Sequence, residues 1–296
     1  MAETVFLTGG TGLLGRYLIP ILRARGYRLR VLLRPTSDRT GLEGSGGEFV
    51  PGDLREPAGF RAALAGARSL IHLAAIVAGS RKELLETNWR GTAALIRAAQ
   101  AAGVERIVHL SSLGAKPEPR FPYAYSAWLA EQEVLNSGLQ YIIFRPAILV
   151  GPGDPFTSTL WRMARSWPVM LLPKSRTRFQ PLWVGDMADC IRRALEGQRP
   201  WGKTIALGGP ESFTLEEIAR LVMSELGINK PIIRLPRRLL RSLVKALRGL
   251  GLDLPYAPGQ FIGADNVAGP GAVEAACGFE PRALREVLRL QREAGV

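Results

Sequence analysis

The sequence predicts an α/β protein, a doubly wound parallel sheet with a smaller mixed lobe toward the C-terminus. Three observations predict it. Short apolar runs alternate with longer helical patterns through the first half of the chain. A glycine-rich turn, Thr8-Gly9-Gly10-Thr11-Gly12-Leu13-Leu14-Gly15, falls where the first run ends and the first helical pattern begins. The composition is globular: 296 residues, 47% hydrophobic and 22% charged, enough for one large domain or a domain with an added lobe.

The elements follow in order. Thr4–Thr8 reads as a buried strand, and 13–25 as a helix with Leu14, Leu18, Ile21 and Leu22 on one face. Arg28–Leu33 is a second strand. Residues 69–73 and Arg106–Leu110 are further strands, and the Ala-rich stretch 84–102 between them is a helix. A helix over 123–136 precedes a strand over 140–145. Such alternation implies parallel strands covered on both faces. The second half is broken by Pro146, Gly151-Pro152-Gly153, Pro168, Pro173 and Pro181. Helical patterns recur over 186–196 and 214–226, and Thr214 with Glu217 has capping-box spacing. The expected division is a dinucleotide-binding domain over 1–150 and a substrate or partner lobe over 151–296. Part of 183–207 is expected to return to the first domain.

The glycine turn carries the chemistry. Glycines at 9, 12 and 15 permit a tight turn and a close approach of backbone to a pyrophosphate. The helix that follows offers free N–H groups and the positive end of its dipole. Arg34 stands where the second strand ends, and no Asp or Glu lies between Glu3 and Asp38. An acid at that place suits a ribose 2′-hydroxyl, whereas an Arg suits a 2′-phosphate. NADP(H) is therefore favoured over NAD(H), with Ser37 and Arg39 as further candidates around the phosphate.

These residues resemble the extended and atypical short-chain dehydrogenase/reductase superfamily, which binds NAD(P) on a Rossmann fold. The resemblance continues through Gly52-Asp53-Leu54, His72-Leu73-Ala74-Ala75, Asn88, Ser111-Ser112, Arg145-Pro146, Gly151-Pro152-Gly153-Asp154 and Trp183-Val184-Gly185-Asp186. It implies contact with the dinucleotide by Gly9, Thr11, Gly12, Leu13, Leu14 and Gly15, with Asp53 and Leu54 at the adenine. It further implies Leu73, Ala74 and Ala75 along the nucleotide, Ser111 beside the nicotinamide, and Pro146, Ala147 and Ile148 beneath it. Within the superfamily the chain looks like the group holding the nucleotide-binding accessory subunit of mitochondrial complex I and its bacterial relatives. That likeness rests on Arg34-Pro35, on residues 108–115 and on Ala264-Asp265-Asn266-Val267-Ala268.

One expected residue is missing. Active members carry Tyr-x-x-x-Lys on the helix after the fifth strand, where the Lys lowers the Tyr pKa and holds the ribose. Here Ala127 stands four residues after Tyr123, and Leu129 four after Tyr125. Lys116 and Arg120 are the nearby cations that could substitute. Tyr123 is thus a candidate catalytic residue in a degenerate site. The favoured reading is an NADP(H)-binding protein with a structural, sensing or assembly role. The alternatives are an NADPH-dependent reductase or epimerase-type enzyme using Tyr123, and a membrane-surface or partner-binding module.

The third reading comes from charge. Lys+Arg number 39 against 26 Asp+Glu, a net charge of +13, and seven of these cations lie between Lys230 and Arg248 with no acid among them. Over 236–249, Leu239, Leu240, Leu243, Val244 and Leu247 follow helical spacing, while Arg237, Arg238, Arg241, Lys245 and Arg248 fall largely on the other side. Such a helix can meet an anionic membrane surface or an acidic protein partner. Nucleic acid is disfavoured, since the segment carries no interleaved aromatics. Two histidines make a His-based zinc site unexpected, and two cysteines point away from a disulfide scaffold to a reducing compartment. With no apolar run of membrane length and no signal peptide pattern, the expected location is the cytoplasm, with the inner face of the membrane as the surface open to the basic helix.

Overall fold

The computed structural model describes residues 2–40, 42, 47–198, 201–249 and 265–295. They form two units. The first comprises Met1–Pro146, Val184–Leu207 and Ala275–Gly278; the second comprises Ala147–Trp183, Gly208–Glu274 and Phe279–Val296.

The first unit is built on parallel strands β1 (Thr4–Thr8), β2 (Arg28–Leu33), β3 (Glu48–Pro51), β4 (Ser69–His72), β5 (Arg106–Leu110) and β6 (Gln140–Pro146), joined by the strand Lys203–Leu207. Their order in the sheet is Lys203–Leu207, β6, β5, β4, β1, β2, β3. The order reverses between β4 and β1, the kind of switch point at which open α/β sheets place ligands. Val5, Phe6, Leu7 and Thr8 of β1 are wholly buried, so the strand needs an apolar run rather than an alternating one. Helix α1 (Leu13–Ala24) lies against the helix Val184–Leu195. On the sheet's other side are the single turn α2 (Arg81–Leu84), α3 (Gly91–Ala101) and α4 (Pro122–Leu135), with α3 against α4.

Two expectations need correction here. The helix expected over 84–102 is interrupted. Ser80 starts α2 with a reciprocal capping box to Glu83, and Leu85–Arg90 then widens into a π-type turn before α3. Such turns displace a side chain from the helical register, and here Asn88 is the buried one. The cysteines are also not free. Cys190, on the helix Val184–Leu195, and Cys277 are disulfide-bonded, with Cα atoms 5.4 Å apart. Their separation of 87 residues hid the pairing from local reading. Short β3 and the strand Lys203–Leu207 were likewise absent from the strands read in sequence.

The second unit packs helices Pro155–Ser166, Leu215–Glu225 and Leu284–Glu293 around Phe156, Leu160, Trp161, Ile218, Val222 and Leu288. Thr214 and Glu217 form the capping box that their spacing predicts. A buried polar clasp ties the last helix to the first. The two hydrogens of Gln291 Nε2 are shared among the Gly151 carbonyl at 2.8 Å, Asp154 Oδ2 at 2.6 Å and Thr157 Oγ1 at 2.6 Å, and its amide oxygen accepts from Trp161 Nε1 at 3.0 Å. Asp154 also caps the helix by accepting from the Thr157 N–H at 2.7 Å. Burial pushes its carboxyl above the usual range, against the pull of those donors.

The basic segment forms the helix Arg237–Gly249. Leu240 and Val244 pack on Leu171, with Leu243 alongside. Leu239 is 54% exposed, which corrects its assignment to the same apolar face. It lies about 100° round the helix from Leu240, off the seam that 240 and 244 define. Arg238 and Lys245 are exposed. The side chains of Arg241 and Arg248, and residue Ala264, lie outside the described residues. Among the described residues no helix is long and apolar enough to cross a membrane.

The clasp yields a stability test. Gln291→Leu keeps the volume but strands the buried Trp161 Nε1 and removes one donor each from the Gly151 carbonyl and Asp154, which keep their other partners. Urea denaturation of the variant is expected to show a loss of about 3 kcal/mol; a loss under about 1 kcal/mol would mean that water reaches these groups.

Candidate dinucleotide site

Parallel strands put all their carboxyl ends on one edge of the sheet. The glycine turn leaves β1, Arg34 leaves β2, Gly52-Asp53 leaves β3, Leu73–Ala75 leave β4, Ser111 leaves β5, and Pro146 closes β6. The candidate residues of the first unit are thereby gathered from six strand ends. Ala147 and Ile148 belong to the second unit.

The turn has no room for side chains. Gly9 has φ +78°, and a Cβ there would stand 2.7 Å from the Ala74 nitrogen. At Gly15 it would stand 2.5 Å from the Gly9 carbonyl oxygen and 2.6 Å from Gly10 Cα. Gly12 is the N-cap of α1, which has no side-chain cap and no acidic residue in its first turn. By contrast, Ser80, Asp154 and Thr214 each cap their own helix with a side-chain oxygen. An open, acid-free helix start behind a side-chain-free turn fits a pyrophosphate.

A buried hydrogen-bond chain braces this edge. Thr92 Oγ1 donates to the Asn88 carbonyl at 2.6 Å, so toward His72 Nε2, at 2.7 Å, it can only accept. His72 therefore carries its proton on Nε2, and its bare Nδ1 accepts from Thr8 Oγ1 at 2.7 Å. Thr8 in turn accepts the Ala74 N–H at 3.3 Å. From Asn88 the chain continues: its amide donates to the Ile76 carbonyl at 2.9 Å and to Ser126 Oγ at 3.0 Å, and Ser126 donates to the Tyr123 carbonyl at 2.8 Å. The end of β1 is thus linked to α4. Burial drives the His72 pKa well below its ordinary value, helped by charge repulsion from His109, whose ring stacks on it at 5.1 Å between centroids. Burial also lowers His109 to about 4, although Glu131 opposes the shift.

Just after β3, Arg55 grips Asp53, with Nε to Oδ1 at 3.0 Å and Nη2 to Oδ2 at 2.7 Å. That grip, with Arg34 adding a smaller pull, holds Asp53 below the usual carboxylate range. An adenine amino group reaching Asp53 would share it with Arg55. The sequence reading passed over Arg55, although its place two residues after Asp53 allows this fork.

On α4, the Tyr123 hydroxyl is hydrogen-bonded to Ser112, while burial raises its pKa above the ordinary value. Ala127 is buried where a lysine was sought. Lys116 and Arg120 both pair with Glu118, at 3.2 and 2.7 Å, and both lie over the Phe121 ring. One turn beyond Ala127, the buried Glu131 takes a forked bond from Arg145, with Nε at 2.8 Å, and accepts from the Ser111 hydroxyl. Ser111 is thus oriented by a carboxylate, and Ser112 is the residue that meets Tyr123.

Comparison with known proteins places this geometry. The profile of the NAD dependent epimerase/dehydratase family matches residues 5–208. A ceramide reductase of Caulobacter vibrioides is 31% identical over 240 residues, 78% of this chain and 73% of that protein. The mitochondrial NADH dehydrogenase (ubiquinone) 1 alpha subcomplex subunit 9 of Arabidopsis thaliana is 30% identical over 246 residues, 80% of this chain and 60% of that protein. The chain spans between 53 and 73% of the length of these and another leading curated relative. Among solved structures, MoeE5 in complex with UDP-glucose and NAD superposes with a TM-score of 0.78 at 22% identity, covering 98% of each chain, a likeness of fold.

The buried histidines set a pH dependence. Their folded pKa values lie below the unfolded value near 6.5, so the unfolded chain takes up protons first as pH falls. Their contribution is whole above about pH 6.5 and is lost progressively toward pH 4. His109 alone, shifted from 6.5 to about 4, accounts for on the order of 3 kcal/mol of that loss. Melting temperature is expected to fall over this window, with the His109 ring still neutral by NMR at pH 5. A His109 signal titrating near 6.5 in the folded protein would contradict the assignment.

Proposed function

The chain belongs to the NAD dependent epimerase/dehydratase family, and from that premise we propose that it binds NADP(H) at a site no longer equipped for redox turnover. The nucleotide then serves stability, sensing or assembly. The observation that carries this reading is Tyr123: its helix offers Ala127 in place of the lysine, and its pKa is raised by burial. An ordinary tyrosine is already only about 0.1% ionised at pH 7, and burial moves this one further from service as a base. The relative in the complex I subcomplex supports an accessory role, since its name is that of a subunit. Arg34, exposed where β2 ends and adding to the field on Asp53, supports a 2′-phosphate over a free hydroxyl. When bound, the dinucleotide would supply a hydride donor or acceptor. The turn 9–15 would hold its pyrophosphate, Asp53 and Leu54 its adenine, and Ser111, Tyr123 and Pro146 would stand along the nicotinamide side.

Binding to the folded state alone stabilises it by about 2.7 kcal/mol at a hundredfold excess over Kd. NADPH is therefore expected to raise the melting temperature more than NADH at equal concentration, with no NADPH oxidation across a panel of carbonyl substrates. Turnover by the wild-type chain that Tyr123→Phe abolishes would replace this reading with the reductase or epimerase one, which the ceramide reductase relative favours.

A second role rests on the helix Arg237–Gly249. It buries Leu240 and Val244, yet leaves Leu239 exposed beside Arg238. Exposed apolar and cationic groups together suit an anionic bilayer surface. Flotation with phosphatidylglycerol vesicles is expected to carry the protein at low salt, less so for Leu239→Glu, and not with neutral vesicles. Absence from the anionic vesicles at low salt removes the role.

A further inference from the structure

The NADP(H) reading rests on Arg34, but the strand ends hold a second cation whose contacts are of a different kind. Arg16 stands in the first turn of α1, directly after Gly15. Its side chain turns back toward the glycine loop, where Nε donates to the Thr11 carbonyl at 3.0 Å. The rest of the guanidinium reaches across to the segment that follows β2. Nη1 donates to the Thr40 carbonyl, and Nη2 meets the Asp38 carbonyl at 3.3 Å and Asp38 Oδ2 at 3.4 Å. β1 and β2 are neighbours in parallel register, with Thr8 opposite Leu32, so both segments leave the sheet side by side.

These contacts differ in strength. The carbonyl bonds fix where the guanidinium sits, yet they leave its charge unopposed. Among the described residues the one anion paired with it is Asp38, at the limit of hydrogen-bond distance, with its side chain 71% exposed. A solvated ion pair of that length contributes little and is easily exchanged for a better anion. A phosphate offers a doubly charged, multi-oxygen acceptor that matches a guanidinium fork. Asp38 has its own alternative, since its Oδ1 already accepts from the Thr40 N–H at 2.9 Å. Released from Arg16, it keeps a partner.

We propose that Arg16 is a ligand for the 2′-phosphate of NADP(H), and that Asp38 is the phosphate's competitor for it within the chain. The proposal rests on the NADP(H) reading and deepens it. One pair of residues then answers to both cofactors. A 2′-phosphate takes Arg16 and displaces Asp38; a 2′-hydroxyl donates to Asp38 and leaves the pair intact. The preference set by Arg34 is moderated by an acid that the sequence places only four residues further on.

Calorimetric titration of the full chain with NADPH and with NADH, at one fixed ionic strength, tests this. Arg16→Gln is expected to weaken NADPH about tenfold while NADH stays within about twofold. Asp38→Asn, a change at an exposed position, is expected to tighten NADPH, weaken NADH and so widen their ratio about tenfold. If Arg16→Gln weakens both cofactors equally, Arg16 merely braces the glycine turn and the proposal falls. An unchanged ratio in Asp38→Asn overturns the competition. The parent reading fails separately: equal affinities in the wild type, unaltered by Arg34→Gln, would sink NADP(H) preference itself. A wild-type preference removed by Arg34→Gln but untouched by Arg16→Gln would sink only the assignment to Arg16. Arg16→Lys guards against misfolding, since it keeps the charge and loses the fork; it is expected to bind NADPH between the wild type and Arg16→Gln.

Discussion

A single imidazole organises the binding edge of the first unit. His72 is wholly buried and has one hydroxyl on each ring nitrogen. Because Thr92 must donate onward to the Asn88 carbonyl, the tautomer is settled, and with it the direction of every bond from Ala74 to Asn88. A charged ring would need both nitrogens to donate, and Thr8 would then have no proton acceptor at Nδ1. The low pKa is thus a condition of the geometry as well as a result of burial. Through Asn88 and Ser126 the same chain positions the helix that carries Tyr123. The wide turn Leu85–Arg90 has its explanation here: it sets Asn88 inward, where both of its amide groups find partners.

Much of the frame was readable because its causes are local. Apolar runs named β1, β2 and β5, glycine spacing named the turn, and Thr214 with Glu217 named a helix start. The candidate site was readable to the extent that a parallel sheet gathers strand ends. What escaped reading depends on contacts between distant residues. Glu131 and Arg145 lie on different elements, and so do Arg16 and Asp38; only folding brings each pair within bonding range. The cysteine pair is the extreme case, two residues with no local signal of meeting. Leu239 escaped for a geometric reason, since adjacent apolar pairs such as Leu239-Leu240 do not say which member forms the seam.

The polar side chains at the ends of β5 and β6 and those of α4 form two bonded sets. Glu131 holds Arg145 and Ser111, and Ser112 meets Tyr123. Under the proposed reading the missing element is a cation beside the phenol, and the two nearby cations pair with Glu118. Under that reading the site keeps its fit for a nucleotide, because the groups proposed to bind it are backbone and strand ends rather than the catalytic side chain.

The first unit is also discontinuous in the chain. Strand β6 ends at Pro146, and the strand that covers its outer edge begins only at Lys203, after 147–183 has been given to the second unit. During synthesis the growing sheet therefore presents β6 as an open edge for more than fifty residues of elongation, a state prone to pairing with other chains. The two units cannot mature one after the other, as beads on a string would. A cut near residue 150, which looks like a boundary in the sequence, would not release a finished nucleotide-binding half. It would strand that open edge permanently, and the smallest piece able to complete its sheet must extend through Leu207.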